Sequence, residues 1–213
     1  MNPLLKPALE VPDLDVAWRD VEYCVVDVET TGLDLRRDTL ISFGSVLVKS
    51  GRVHVSSCES FEIKPSRPIS IGAMTVHGLR EQDLDDAPEL GQVTDRIVAQ
   101  LDGRVLVAHA AWVERAFLTR PLRAARRRWK PAVVDTAALL RATGLAPSGT
   151  GYEPDIEVSA KHLGLCVHTP HQALGDALTT GEVFLALTTK LEQQQPGLTA
   201  HRLVAISDEH TLT

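Results

Sequence analysis

The chain has 213 residues, 44% of them hydrophobic, and a formal charge of −6. This composition excludes disorder over most of the length and supports one domain with a sizeable core; the acidic balance excludes a surface that attracts polyanions everywhere, so a nucleic-acid partner must be met by a local basic patch. Three cysteines, Cys24, Cys58 and Cys166, make no CxxC spacing and read as reduced core residues; no run reaches the ~18 apolar residues of a membrane helix and the start lacks the apolar core of a signal peptide, so a cytoplasmic protein without a membrane partner is expected.

Residues 1–20 carry three prolines and predict an N-terminal extension peripheral to the core, with a short amphipathic turn around 16–21. Strand-like runs at 23–28, 40–48 and 52–63, the last two separated by hairpin-like Lys49-Ser50-Gly51, predict an antiparallel meander. Residues 64–78, rich in Pro, Ser and Gly, read as a loop. Ala87-Pro88 then opens a helix over 89–101, spaced by Leu90, Val93, Ile97, Val98 and Leu101.

A buried-type strand follows at 104–108. Next comes a helix from about 111 to 128 that Pro121 must kink or divide. Residues 131–135 predict a fifth strand leading into a helix through 140. A flexible loop at 146–154 precedes helices at 156–163 and 173–193, and 196–213 read as a loosely packed tail. Strands followed by crossovers of this kind imply an α/β fold: a mixed five-stranded sheet, three antiparallel strands plus two parallel, flanked by helices, with the main domain at 21–195.

The run Val25-Val26-Asp27-Val28-Glu29-Thr30-Thr31-Gly32 places two carboxylates at alternate strand positions, hence on one face, where each raises the other's cost of ionisation. A divalent cation is the natural remedy; a strand end whose acids turn to solvent is the bland alternative. Glu114 lies in the first turns of a helix, where negative charge is well tolerated, although a helical glutamate is more often paired at the surface. In Thr169-Pro170-His171-Gln172-Ala173-Leu174-Gly175-Asp176, a loop histidine able to titrate near neutrality precedes an aspartate in an apolar helix, the alternatives being a surface loop histidine and a capping or buried hydrogen-bonded acid. Six cations, Arg120, Arg123, Arg126, Arg127, Arg128 and Lys130, make either a landing strip for phosphates or a solvated helix face. Trp112 and Trp129 read as packing residues.

In this order the motifs resemble the DEDDh group of 3′-to-5′ exonucleases, over roughly residues 22 to 190. Asp27-Val28-Glu29-Thr30-Thr31-Gly32 matches the group's first motif and His171 through Asp176 its last, with Thr75-Val76-His77-Gly78-Leu79 and Val134-Asp135-Thr136 similar to landmarks between them. The second motif departs: the group's alanine-histidine-asparagine-alanine-x-phenylalanine-aspartate stands here as Ala108-His109-Ala110-Ala111-Trp112-Val113-Glu114, so a longer acid replaces the aspartate and the asparagine is lost.

The resemblance implies an RNase H-like fold and two-metal-ion phosphodiester hydrolysis. Asp27 would bridge the metals, Glu29 and Asp176 would complete one site, Glu114 would support the second, and His171 would take the proton from the attacking water. Oxygen-only ligation without cysteine suits Mg²⁺ or Mn²⁺. Thr30, Thr31 and Leu33 become candidates for gripping the terminal nucleotide, with His77 at the border, although the threonines equally suit a turn. The implied substrate is a DNA 3′ end, single strands favoured, with a DNA polymerase or repair complex as a partner. RNA 3′-end trimming, or a nucleic-acid-binding module that has lost activity, are the alternatives.

Overall fold

A computed structural model of the protein describes residues 7–147 and 153–210. β1 (Tyr23–Thr30), β2 (Leu40–Lys49) and β3 (Arg52–Glu62) form the expected meander, and β4 (Val105–Ala108) and β5 (Val133–Asp135) extend it on the other side. The sheet order is β3-β2-β1-β4-β5. β1 pairs antiparallel with β2 and parallel with β4, and β4 pairs parallel with β5. Ser50 and Gly51 both take left-handed φ, +49° and +68°, the conformation a two-residue hairpin matched to strand twist requires.

Side-chain alternation on β1 divides the core in two. Tyr23 and Val25 pack on one face with α4 (Thr136–Thr143), the long α6 (Ala173–Gln194) and α7 (Ala200–His210). Cys24, Val26 and Val28 pack on the other with α2 (Leu90–Leu101) and α3 (Trp112–Ala124). Phe184 of α6 sits 4.9 Å from the Tyr23 ring and 6.2 Å from Trp18. Two apolar faces covered by helices are what βαβ crossovers produce.

Several expectations need correction. Within the presumed loop 64–78, α1 (Ile71–His77) is a helix capped by the Ser70 side chain and stopped by Gly78 at φ +73°. It buries no residue, so it leaves no apolar stripe to read, only its punctuation. The presumed loose tail contains α7, whose Leu203 and Ile206 are buried in the same core as α4 and α6, the helix itself lying against α4 and β5. The N-terminal segment is not peripheral throughout, because Trp18 is fully buried and donates from Nε1 to Glu192.

α3 ends at Ala124, three residues past Pro121, and Arg126 at φ +61° turns the chain away from the axis expected to reach 128. Of the cysteines only Cys24 is buried; Cys58 is half-buried and Cys166 exposed. Trp129 packs on the core as expected, whereas Trp112 is 40% exposed. α5 (Ile156–His162) stands where a short helix was expected, and most of the loop before it, 148–152, lies outside the described residues. No helix among them is long and apolar enough to cross a membrane.

Candidate active site

Asp27 and Glu29 continue the Tyr23 and Val25 face of β1 toward the start of α6. What brings α6 close is glycine. Asp27 lies opposite Gly44 of β2, and a Cβ on Gly44 would stand 2.2 Å from the backbone of Ala173 and Leu174. A Cβ on Gly175 would meet Thr169 at 2.3 Å. Both glycines permit backbone contact that any side chain would block, and the approach sets Asp176, the fourth residue of α6, beside the strand acids. Oxygens of Asp27, Glu29 and Asp176 lie within 4.8 Å of one another.

The electrostatics follow from this crowding. Burial, then the charges of Glu114, Glu29 and Asp176, raise the Asp27 carboxyl well above the usual range. Burial and Asp176 push Glu29 up to about 8, and burial raises Asp176 to about 6 against the stabilising His171 N–H. That N–H donates to Asp176 Oδ2 at 2.9 Å, leaving Oδ1 buried and without a partner among the described residues.

Glu114 is 3% exposed, with Oε2 also buried and unpartnered; burial, Asp135 and Glu29 raise it far above an ordinary glutamate. It stands outside the set of three that converge within 4.8 Å, yet close enough to act on Asp27. Crowded acids with orphaned oxygens lack a compensating charge. An oxygen donor set of this kind fits a hard divalent cation.

The backbone leading to Glu114 is held by Asp135, whose carboxylate accepts from Ala110, Ala111 and Ala137 N–H at 3.1, 3.2 and 2.9 Å. Ala110 takes a left-handed φ of +55°. His109 contacts Thr136 Oγ1 at 2.8 Å and the Pro154 carbonyl, tying the end of β4 to the entry of α5. The motif Val134-Asp135-Thr136 was visible in the sequence; this bracing role was not. Gly44 and Gly175 were missed as site residues, although glycine inside a strand or helix signals close backbone approach.

Two cavities flank Glu29. One, of about 430 Å³, is lined by Glu29, Glu62, His77, His171 and Gln172. The other, of about 370 Å³, is lined by Glu29, Thr30, Leu33, Val76, His77 and Val113. Of the predicted nucleotide contacts, Thr30, Leu33 and His77 are therefore brought to the acids. Thr31 is not: it is fully buried, and its hydroxyl donates to Asp38 Oδ1 at 2.8 Å, which shapes the turn. His77 accepts the Leu79 N–H on Nδ1 and so presents Nε2–H to the Thr30 carbonyl at 3.3 Å; burial lowers its pKa.

His171 sits on the rim with a side chain 55% exposed and φ +59°. None of the six clustered cations lines either cavity. Arg120 donates to the Leu35 and Asp38 carbonyls and Arg127 to the Pro7 carbonyl, while Arg123, Arg128 and Lys130 are exposed.

Residues 24–184 match the protein family described as Exonuclease, of RNase T type. A DNA polymerase III of PolC type from Thermotoga petrophila is 28% identical over 190 residues, covering 89% of this chain and 13% of the polymerase. The "3′-5′ exonuclease DinG" of Staphylococcus saprophyticus is 28% identical over 171 residues, covering 80% of this chain and 18% of that protein. The chain thus spans less than a fifth of either relative. Among solved structures, Exonuclease X in complex with 5′-overhanging duplex DNA superposes with a TM-score of 0.67 at 24% identity, covering 87% of this chain and 99% of that one.

Proposed function

The chain belongs to the exonuclease family over residues 24–184, and on that premise we propose that it releases nucleotides one at a time from the 3′ ends of DNA, single-stranded ends favoured. The observation that carries this reading is the convergence of Asp27, Glu29 and Asp176 within 4.8 Å, with buried unpartnered oxygens on Asp176 and Glu114. These four acids would hold Mg²⁺ or Mn²⁺, two ions with substrate bound, which would neutralise charge on the phosphate and acidify the attacking water.

His171 takes the proton from that water, from a rim position that can exchange it with solvent. Thr30 and Leu33 hold the terminal nucleotide in the cavity beside Glu29, and His77 forms the wall between the two cavities. Polarity is supported by the 3′-5′ activity in the name of the DinG relative, and DNA over RNA by the polymerase relative and by the DNA in the Exonuclease X complex. Association with a DNA polymerase or repair complex belongs to the same reading.

The test is degradation of 5′-labelled single-stranded DNA, recessed duplex and single-stranded RNA with Mg²⁺, Mn²⁺ or chelator. A ladder of products shortening from the 3′ end, abolished by chelator, is expected, fastest on single-stranded DNA. Faster loss of RNA would transfer the proposal to RNA trimming. Binding without cleavage under either metal would overturn the enzyme.

A further inference from the structure

The structure assigns Glu157, on α5, as the positioning residue for the imidazole of His171. This rests on the proposed role of His171 as general base. An imidazole with more than half its side chain in solvent needs something to fix its ring. Its backbone is already pinned, because the His171 N–H is held by Asp176 at 2.9 Å and φ is +59°. The ring itself has one ion-pair partner among the described residues, Glu157 Oε1, at 3.5 Å from Nε2.

At that separation the carboxylate is a charge partner rather than a hydrogen-bond acceptor, and it restrains which way the ring turns by holding its Nε2 edge toward α5. Glu157 is well placed for this. Its side chain is only 22% exposed, and its helix is fixed at the start by two devices. Asp155 caps α5, its side chain accepting from Val158 N–H, and His109 holds the Pro154 carbonyl just before the cap. Since His109 belongs to the same segment as Glu114, one braced path runs from the buried acid to the rim histidine.

The competing reading is the i,i+4 pair in which Lys161 Nζ donates to Glu157 Oε2 at 3.4 Å; it engages the other carboxylate oxygen and is no longer than the His171 contact, so Lys161→Ala separates the two. The 213-residue chain is assayed on single-stranded DNA as native, Glu157→Gln, Glu157→Asp, Lys161→Ala, His171→Ala and the double variant Glu157→Gln/His171→Ala. Glu157→Gln lowers kcat about tenfold with KM little changed, in the range seen when the residue behind a functional histidine is lost. Glu157→Asp recovers most of that loss and Lys161→Ala leaves kcat at the native value. In the His171→Ala background, Glu157→Gln has less than about a twofold further effect, the non-additivity expected of a residue that acts through another.

Equal losses from Glu157→Gln in both backgrounds, a change confined to KM, or a loss matched by Lys161→Ala would overturn the assignment. If His171→Ala retains native activity, the general base itself is withdrawn. If His171→Ala is inactive and Glu157→Gln is native, the base stands and only the role of Glu157 falls.

Discussion

At the scale of single residues, this site trades stability for charge. Glu114 is a buried acid with an oxygen that no described residue satisfies, an arrangement costing roughly 1–3 kcal/mol in a folded protein. Glu114→Gln keeps the shape and removes the charge. It is expected to raise the melting temperature of metal-free protein at pH 8 by about 2 °C or more, at about 2–4 °C per kcal/mol for a chain this size. Nuclease activity should fall about 10²-fold, near 3 kcal/mol of transition-state stabilisation. A variant that loses stability and keeps activity would mean Glu114 is structural.

Ala110 offers a cleaner case. A left-handed alanine costs roughly 1–2 kcal/mol, and glycine gives back about 0.4–1 kcal/mol through the freer unfolded chain, so Ala110→Gly should stabilise by about 0.5–1 kcal/mol in thermal melts. Ala110→Val should destabilise. Asp27, Glu29 and Asp176 could be singled out in the sequence because acids inside apolar runs are costly to bury, and His171 because it opens a motif resembling the family's last; the bland readings yielded only to the order of the motifs. Glu157 could not be, since a glutamate early in a short helix looks like any other.

At the scale of elements, the site depends on how near α6 can come to β2. Gly44→Ala places a Cβ 2.2 Å from the backbone of Ala173 and Leu174, which cannot be relieved by a rotamer change. α6 must shift, at about 1–3 kcal/mol, and Asp176 shifts with it. Activity should fall by more than the loss of folded protein accounts for, read as kcat on fully folded enzyme. Gly181 in the same helix is the control: its Cβ would meet Val53, Val25 and Val46 at 3.6–3.8 Å, ordinary contact, so Gly181→Ala should be neutral or stabilise by about 0.5–1 kcal/mol. Equal effects at both glycines would remove the argument. Strands and long helices were readable because two-residue and 3.6-residue periods persist along them. α1 buries nothing and so leaves no stripe to read, whereas α7 does carry one in Ala200, Leu203 and Ile206, passed over because Pro196 and Gly197 read as the end of the folded chain.

At the scale of the whole molecule, the four acids make folding stability depend on pH and on metal together. Glu29 has a folded pKa near 8 against an unfolded value of 4.5, and Asp27 and Glu114 are also raised well above their usual range. The native state therefore binds more protons than the unfolded chain, and the slope of stability with pH is negative. Their contribution is fully present below the unfolded value and lost as pH rises through the folded one. Burial lowers His77 and His109, whose contribution has the opposite sign and is lost as pH falls below about 6.5. Above about pH 7.5 the unfolded histidines are neutral as well, so from there to about pH 8.5 the acids dominate. Metal-free protein should therefore melt at progressively lower temperature across that window. Millimolar Mg²⁺ or Mn²⁺ should flatten the decline and raise the melting temperature most at the alkaline end, because a cation that binds the ionised carboxylates of the native state removes the reason for protonating them. A melting temperature that is flat in chelator over this window, or that metal shifts equally at both ends, would show that the acids do not carry the charge this site requires.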